Sequence, residues 1–137
     1  LLSVPDLLAS EETLSLAAGG QVDFTLFTRP EVTADFYWLL GSLSGTAPGL
    51  PFGPGLTLPL NIDALFNLGL NNANTPPFAN NFASPDTLGV GDASFSLPAG
   101  TNPALGGLTA NFAYATIDVL SLNVSSVSNA VEVEFLP

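Results

Sequence analysis

The sequence predicts an all-β protein built as an antiparallel β-sandwich. Three observations carry that expectation. Several stretches alternate apolar and polar residues, among them Val22–Phe24–Leu26, Leu108–Ala110–Phe112–Tyr114 and Val131–Val133–Phe135. Period 2 is the mark of a half-buried strand. Gly and Pro number 13 and 12 among 137 residues and gather between those stretches, where they break ladders and make turns. No stretch repeats convincingly as an amphipathic helix. A chain of this length buries roughly 68–70 % of its unfolded surface, enough for one real core.

Leu1 to Ser10 is apolar without clean alternation and reads as an extended arm or a single helical turn capped at Ser3. Glu12–Leu16 and Gln21–Thr28 read as a hairpin closed at Gly19-Gly20. Arg29-Pro-Glu is a loop. Asp35–Ser42 is the central strand. Its run from Phe36 to Leu40 is apolar on both faces and holds the only Trp, Trp38, which places Tyr37 and Trp38 in the core rather than on a sugar platform. Gly45–Gly55 is a long loop.

From Leu56 to Leu70 every even position is apolar. A single strand of that length would reach about 50 Å. Two strand segments are therefore expected, broken near Asn61-Ile62-Asp63, the first on an edge because of Pro59. Asn71–Pro85 is a loop. The parity change between Val90 and Ala93 marks a turn or bulge at Gly91-Asp92. Pro98–Gly107 is a loop with a helical turn at Pro103–Leu105, and Ile117–Ser128 stays ambiguous. Val131–Phe135 is the last strand, with Glu132 and Glu134 facing out to guard a sheet edge. The expected fold is an immunoglobulin-like sandwich of seven to nine strands. Residues 1–11 form the arm and 12–137 a single domain.

Twelve acidic residues face one basic residue, Arg29, for a formal charge of −11. Nothing in such a chain neutralises phosphates, which excludes nucleic acid and anionic membrane surfaces. No apolar run reaches the roughly 18 residues of a membrane span. Cys, Met and His are absent. That removes disulfides, thiolate chemistry and ordinary zinc or copper sites. The lack of oxidisable sulfur suits an extracellular setting. The first residue is not Met, and the expectation is a secreted chain freed of a signal peptide.

Six phrases occur in order: YWLLGSLSGTAPG (37–49), LPLNID (58–63), NNANTPPF (71–78), GDASFSLPAG (91–100), PALGGLTANFAYATID (103–118) and SNAVEVEFLP (128–137). Together they resemble a module of secreted bacterial proteins, often found at the C-terminus of larger chains. The resemblance covers most of residues 12–137. It implies an extracellular β-domain and carries over no catalytic residues. The expectation is a freestanding module, and the hairpin expected at residues 89–92 is shorter than in the pattern.

Catalysis finds little footing. Ser or Thr nucleophiles need a base, and there is neither His nor Lys. Gly41-Ser-Leu-Ser-Gly45 has the spacing of a nucleophile elbow but carries Leu43 where Ser is required. Asp35 and Asp63 read as solvated loop acids. Calcium is the one metal the composition leaves open, with Asp63, Asp86, Asp92 and Asp118 near loop ends. Asn123-Val-Ser125 fits a glycosylation pattern that is short and common.

The expected function is a non-catalytic, secreted structural subunit that self-assembles as a homo-oligomer or polymer, in a filament or surface layer. Leu1, Leu2, Val4, Leu7 and Leu8 of the arm, which either completes its own domain's sheet or adds to a neighbouring subunit's, with Phe52, Phe78 and Phe82 in loops, are the expected subunit contacts. The alternative is an extracellular adhesion module that recognises a glycan or another cell-surface polymer through the Gly45–Gly55 and Asn71–Pro85 loops.

Overall fold

The computed structural model describes residues 6–28, 35–52 and 55–137. Leu1, Leu2, Val4, Arg29 and Glu31 lie outside the described residues. In chain order the strands are β1 (Asp6–Ala9), β2 (Thr13–Ser15), β3 (Gly20–Phe27), β4 (Phe36–Ser42), β5 (Leu50–Pro51), β6 (Thr57–Leu58), β7 (Phe78–Ala79), β8 (Phe82–Ala83), β9 (Val90–Leu97), β10 (Thr109–Ile117), β11 (Val124–Val127) and β12 (Val131–Leu136). One helix, α1 (Ala64–Asn71), lies between β6 and β7. The strand count exceeds expectation because four of the twelve, β5 to β8, are two-residue pairings inside stretches read as loop or edge.

One sheet runs β1-β3-β9-β7 and the other β2-β12-β10-β4-β8, with β11 also paired to β10. This is the immunoglobulin-like arrangement. The pairing is antiparallel except between β12 and β2. Val22, Phe24 and Leu26 of β3 meet Tyr37, Leu39, Phe112 and Tyr114 in one core. In antibody domains a disulfide joins the strands that correspond to β3 and β10. Here the rings of Phe24 and Phe112, 4.9 Å apart, span that gap.

Two expectations are corrected. β2 and β3 are not a hairpin: β2 crosses to the second sheet and pairs with the end of β12. Gly19 makes that corner, since its φ is +75° and a Cβ there would stand 2.6 Å from the Ala99 amide. The second correction concerns residues 64–71, which form a helix rather than a strand. Asp63 is the reason: its Oδ1 accepts from the Leu65 and Phe66 amides, both at 3.1 Å, as a good N-cap does. Within the stretch read as an arm, Asp6–Ala9 pairs with β3 of the same chain and buries Leu7 completely.

The central strand is buried on both faces, as its run requires. Tyr37 and Leu39 point into the sandwich; Leu40 joins a second cluster with Leu58, Leu60, Phe66, Ala113 and Ala115. The cover is an insertion between β4 and β7 that carries the β5–β6 hairpin and α1. Asp63 holds it down. Its Oδ2 accepts from Ser42 Oγ (2.9 Å), the Leu43 amide (2.7 Å), the Ser44 amide (2.8 Å) and Ser44 Oγ (2.7 Å). At the other end of α1, Trp38 Nε1 and Asn81 Nδ2 both donate to the Gly69 carbonyl.

Burial by itself would raise the Asp63 pKa. The hydrogen bonds from Ser44, Phe66, Leu43 and Ser42 outweigh it and hold the carboxyl below its ordinary value. Its contribution to stability is therefore full above the unfolded carboxylate pKa of about 4 and is lost as pH falls below that. Asp63→Ala is expected to cost about 3 kcal/mol, read by denaturant unfolding at pH 7, with the difference shrinking toward pH 3.

Both tyrosines are buried. Tyr37 donates to the Asp92 carbonyl (3.0 Å) and accepts from Asn80; burial, then the Asp92 charge, pushes its pKa up to about 12. Burial also pushes Tyr114 up, its hydroxyl held by the Phe27 carbonyl at 3.0 Å. A raised tyrosine pKa adds stability below about pH 10 that fades as pH climbs above it. Ultraviolet titration should show no tyrosinate near pH 10 in the folded protein. Two tyrosinates should then appear together as it unfolds in stronger alkali.

Candidate functional site

The insertion covers β4 and β10 incompletely. Between the β5–β6 hairpin, α1 and the outer face of the second sheet lies a cleft of about 260 Å³. Trp38, Leu40 and Ala115 line it from the sheet, Leu50, Phe52 and Leu58 from the hairpin, and Ile62, Phe66 and Leu70 from α1 and its approach. Ile117 and Val124 close the side toward the β10–β11 turn. Every lining residue is apolar or aromatic. The one polar side-chain atom among them, Trp38 Nε1, is occupied by the Gly69 carbonyl at 3.1 Å. Ile62 is 58 % exposed and Phe52 40 % exposed at the rim. Phe82 extends the apolar surface, its ring 4.5 Å from Trp38 and 5.3 Å from Phe36.

The expected contact residues scatter. Leu7 and Phe78 are in the inner core, at 0 % and 1 % exposure, and present no surface for a partner. Phe78 reads as a loop residue in the sequence but packs edge-on against Phe95. Leu8, on the opposite side of β1 from Leu7, is exposed. Phe82 is half-buried beside Trp38, and Phe52 alone of the three loop Phe residues stands on the cleft rim. Of the two loops proposed to bind a glycan, the first supplies the Phe52 wall.

The polar candidates are also accounted for. Asp86 closes a turn by accepting from the Leu88 and Val90 amides, and Asp118 does so for Leu120 and Ser121. Asp63 is saturated by donors. Asp92 sits with Asp23 and Asn80 in a shallow depression on the outer face of the first sheet. The four calcium candidates are thus in separate places, and no group of three or more acids comes together among the described residues. Asp35 is buried, not solvated; its Oδ2 accepts from Ser125 Oγ at 2.6 Å, and Thr116 and Ser126 extend the hydroxyl chain. Glu132 and Glu134 are exposed on β12, whose second half, from Glu134 to Leu136, is not an edge because β2 pairs with it. Ser42 and Ser44 of the elbow-like phrase both donate to Asp63.

The chain matches no protein-family model and no curated protein. Its functional reading rests on the cleft. Ile62, Phe66 and Leu70 are the site residues that the strand reading misassigned. The signal that would have found them is Asp63, a capping residue directly before an apolar run.

Trp38 is the only tryptophan, so occupancy of the cleft has a built-in reporter. A neutral apolar probe such as N-phenyl-1-naphthylamine should quench its emission. Ile62→Asp should weaken that binding roughly tenfold without unfolding the protein, because the residue is at the rim.

Proposed function

We propose that the protein is a non-catalytic structural subunit of a secreted, extracellular assembly, and that its copies meet through the apolar cleft. The observation that supports this is the cleft itself: a wholly apolar surface with an exposed rim on a chain of charge −11. Exposed apolar surface of this kind marks interaction sites. The absence of Cys and Met supports an oxidising, extracellular setting.

The N-terminal arm has less support as the contact. The backbone groups of Leu7 that face away from β3 are engaged by the carboxamide of Asn129, whose Oδ1 accepts from the Leu7 amide (2.9 Å) and whose Nδ2 donates to the Leu7 carbonyl (3.2 Å). An added strand would have to displace that clamp. Glycan recognition has less support too, because a sugar in this cleft would leave its hydroxyls without partners.

Sedimentation velocity across a concentration series tests the proposal. Wild-type protein should associate increasingly toward about 1 mM, a range that registers interactions of only a few kcal/mol. Paired Phe52→Asp and Ile62→Asp substitutions should leave a folded monomer throughout. A wild-type chain that stays monomeric over the whole range overturns the reading.

A further inference from the structure

A second pocket opens between the two sheets, at the end of the sandwich beside α1. Its volume is about 220 Å³. Phe95 of β9 and Phe135 of β12 line it from the two sheets; both belong to the inner core, and their rings lie 6.4 Å apart and nearly parallel. Leu65 and Leu68 of α1 add to the lining, with Pro77, Leu97 and Leu105. Gly41 explains how the helix reaches this position. It has no side chain, and a Cβ there would stand 2.9 Å from both Leu65 and Phe112. Leu65 therefore takes the space over Gly41, and the space beside it, next to Phe95 and Phe135, stays open. Sandwich cores normally pack as densely as organic crystals and leave few voids larger than a water molecule.

We infer that this end pocket is a binding site for one small uncharged apolar molecule, the size of a substituted benzene ring. Volume sets the size. Apolar cavities of about 150 Å³ lined by aliphatic and aromatic side chains stay dry and bind benzene. This pocket is somewhat larger. The lining sets the class. Among the described residues it holds no charged or hydrogen-bonding side chain. An ion or a sugar placed there would lose its water and gain no partner. A chain of charge −11 further disfavours anions, a fatty carboxylate included. Pro77 and Leu97 also line an adjoining open groove, where Ser96 and Thr101 supply hydroxyls. One uncharged polar group at the end of the ligand can therefore stay hydrogen-bonded at the mouth. The lining is held in place by the protein's own bonds. Asp63 caps α1, and Asn102 Oδ1 caps the turn that carries Leu105 by accepting from the Ala104 amide at 3.0 Å. The Gly107 amide ties that turn to the Phe135 carbonyl (2.8 Å), and the Ser96 amide ties β9 to the Pro77 carbonyl (2.9 Å). A preformed site asks little ordering of the protein on binding. The pocket shares no lining residue with the cleft, so the inference is independent of the self-assembly reading.

The test uses the full-length protein, leucine methyl labelling for NMR, and toluene as the probe. The methyl signals of Leu65, Leu68, Leu97 and Leu105 should shift together and saturate below about 1 mM toluene. Leu40, Leu50, Leu58 and Leu70 line the cleft and serve as the comparison. Ala64 is exposed at the start of α1 and lines the pocket. Ala64→Phe should fill the space, weaken toluene binding about tenfold and leave Tm equal or higher. Leu105→Phe, at a half-buried position of the lining, repeats the filling from a second element should Ala64→Phe lose its fold. The inference falls if the four pocket leucines stay unmoved at saturating toluene or if only the cleft leucines move. It falls equally if a folded filling variant binds toluene as tightly as wild type. None of these results bears on self-assembly, which sedimentation reads separately.

Discussion

The constraint on which the rest depends is the double apolar face of β4. A two-sheet sandwich covers only the inward face of each strand and leaves the other to water. Leu40 and Trp38 point away from the inner core, and Ala113 and Ala115 of β10 lie beside them. Left bare, these residues would be a large apolar patch in the middle of a sheet. The insertion between β4 and β7 is the response. Small residues make room for it: a Cβ on Gly69 of α1 would stand 3.2 Å from both Leu40 and Phe78. The insertion is a short hairpin and two turns of helix, and its cover stops before the β10–β11 end. The cleft is what that shortfall leaves.

A layer this small has little core of its own and depends on polar ties. Asp63 binds the start of α1 to the exit of β4 through both carboxylate oxygens. Asn61 does the same for the next stretch, donating to the carbonyls of Ser44 (3.0 Å) and Ala47 (2.9 Å) and accepting from the Gly49 amide (3.2 Å). The phrases YWLLGSLSGTAPG and LPLNID are therefore hydrogen-bond partners. Their serines, asparagine and aspartate serve the docking of the insertion, which accounts for these residue types without invoking chemistry on a substrate.

Much of the sandwich was legible in the sequence because long strands carry long patterns. β3, β10 and β12 alternate cleanly, and the double-faced run of β4 foretold cover on both sides. What misled was pattern without geometry. The even-numbered apolar run from Leu56 to Leu70 fits a strand, yet Leu65, Phe66 and Gly69 also form a buried helical stripe. One capped N-terminus decides between them. The Gly19-Gly20 pair suits a hairpin, but the close approach of Ala99 makes it a corner between sheets. The cleft was least legible, since it is built from residues about 85 positions apart that sheet pairing and the insertion together bring close (Trp38, Ile62 and Val124, for example).

The distribution of charge then bears on how such a chain can associate at all. Among the described residues the exposed acids lie on β12 (Glu132, Glu134), at the start of β1 (Asp6), just before β2 (Glu11, Glu12), in the turn before β9 (Asp86) and on the outer face of the first sheet (Asp23, Asp92). None of these lines the cleft. At physiological ionic strength the screening length is about 8 Å, so carboxylates beyond that distance from a contact oppose it only weakly. A high net charge and an apolar contact are then compatible. The exposed acids oppose close approach where they stand, and the lining of the cleft carries none of them. Specificity would follow from where the charges are placed as much as from the fit of the apolar surfaces.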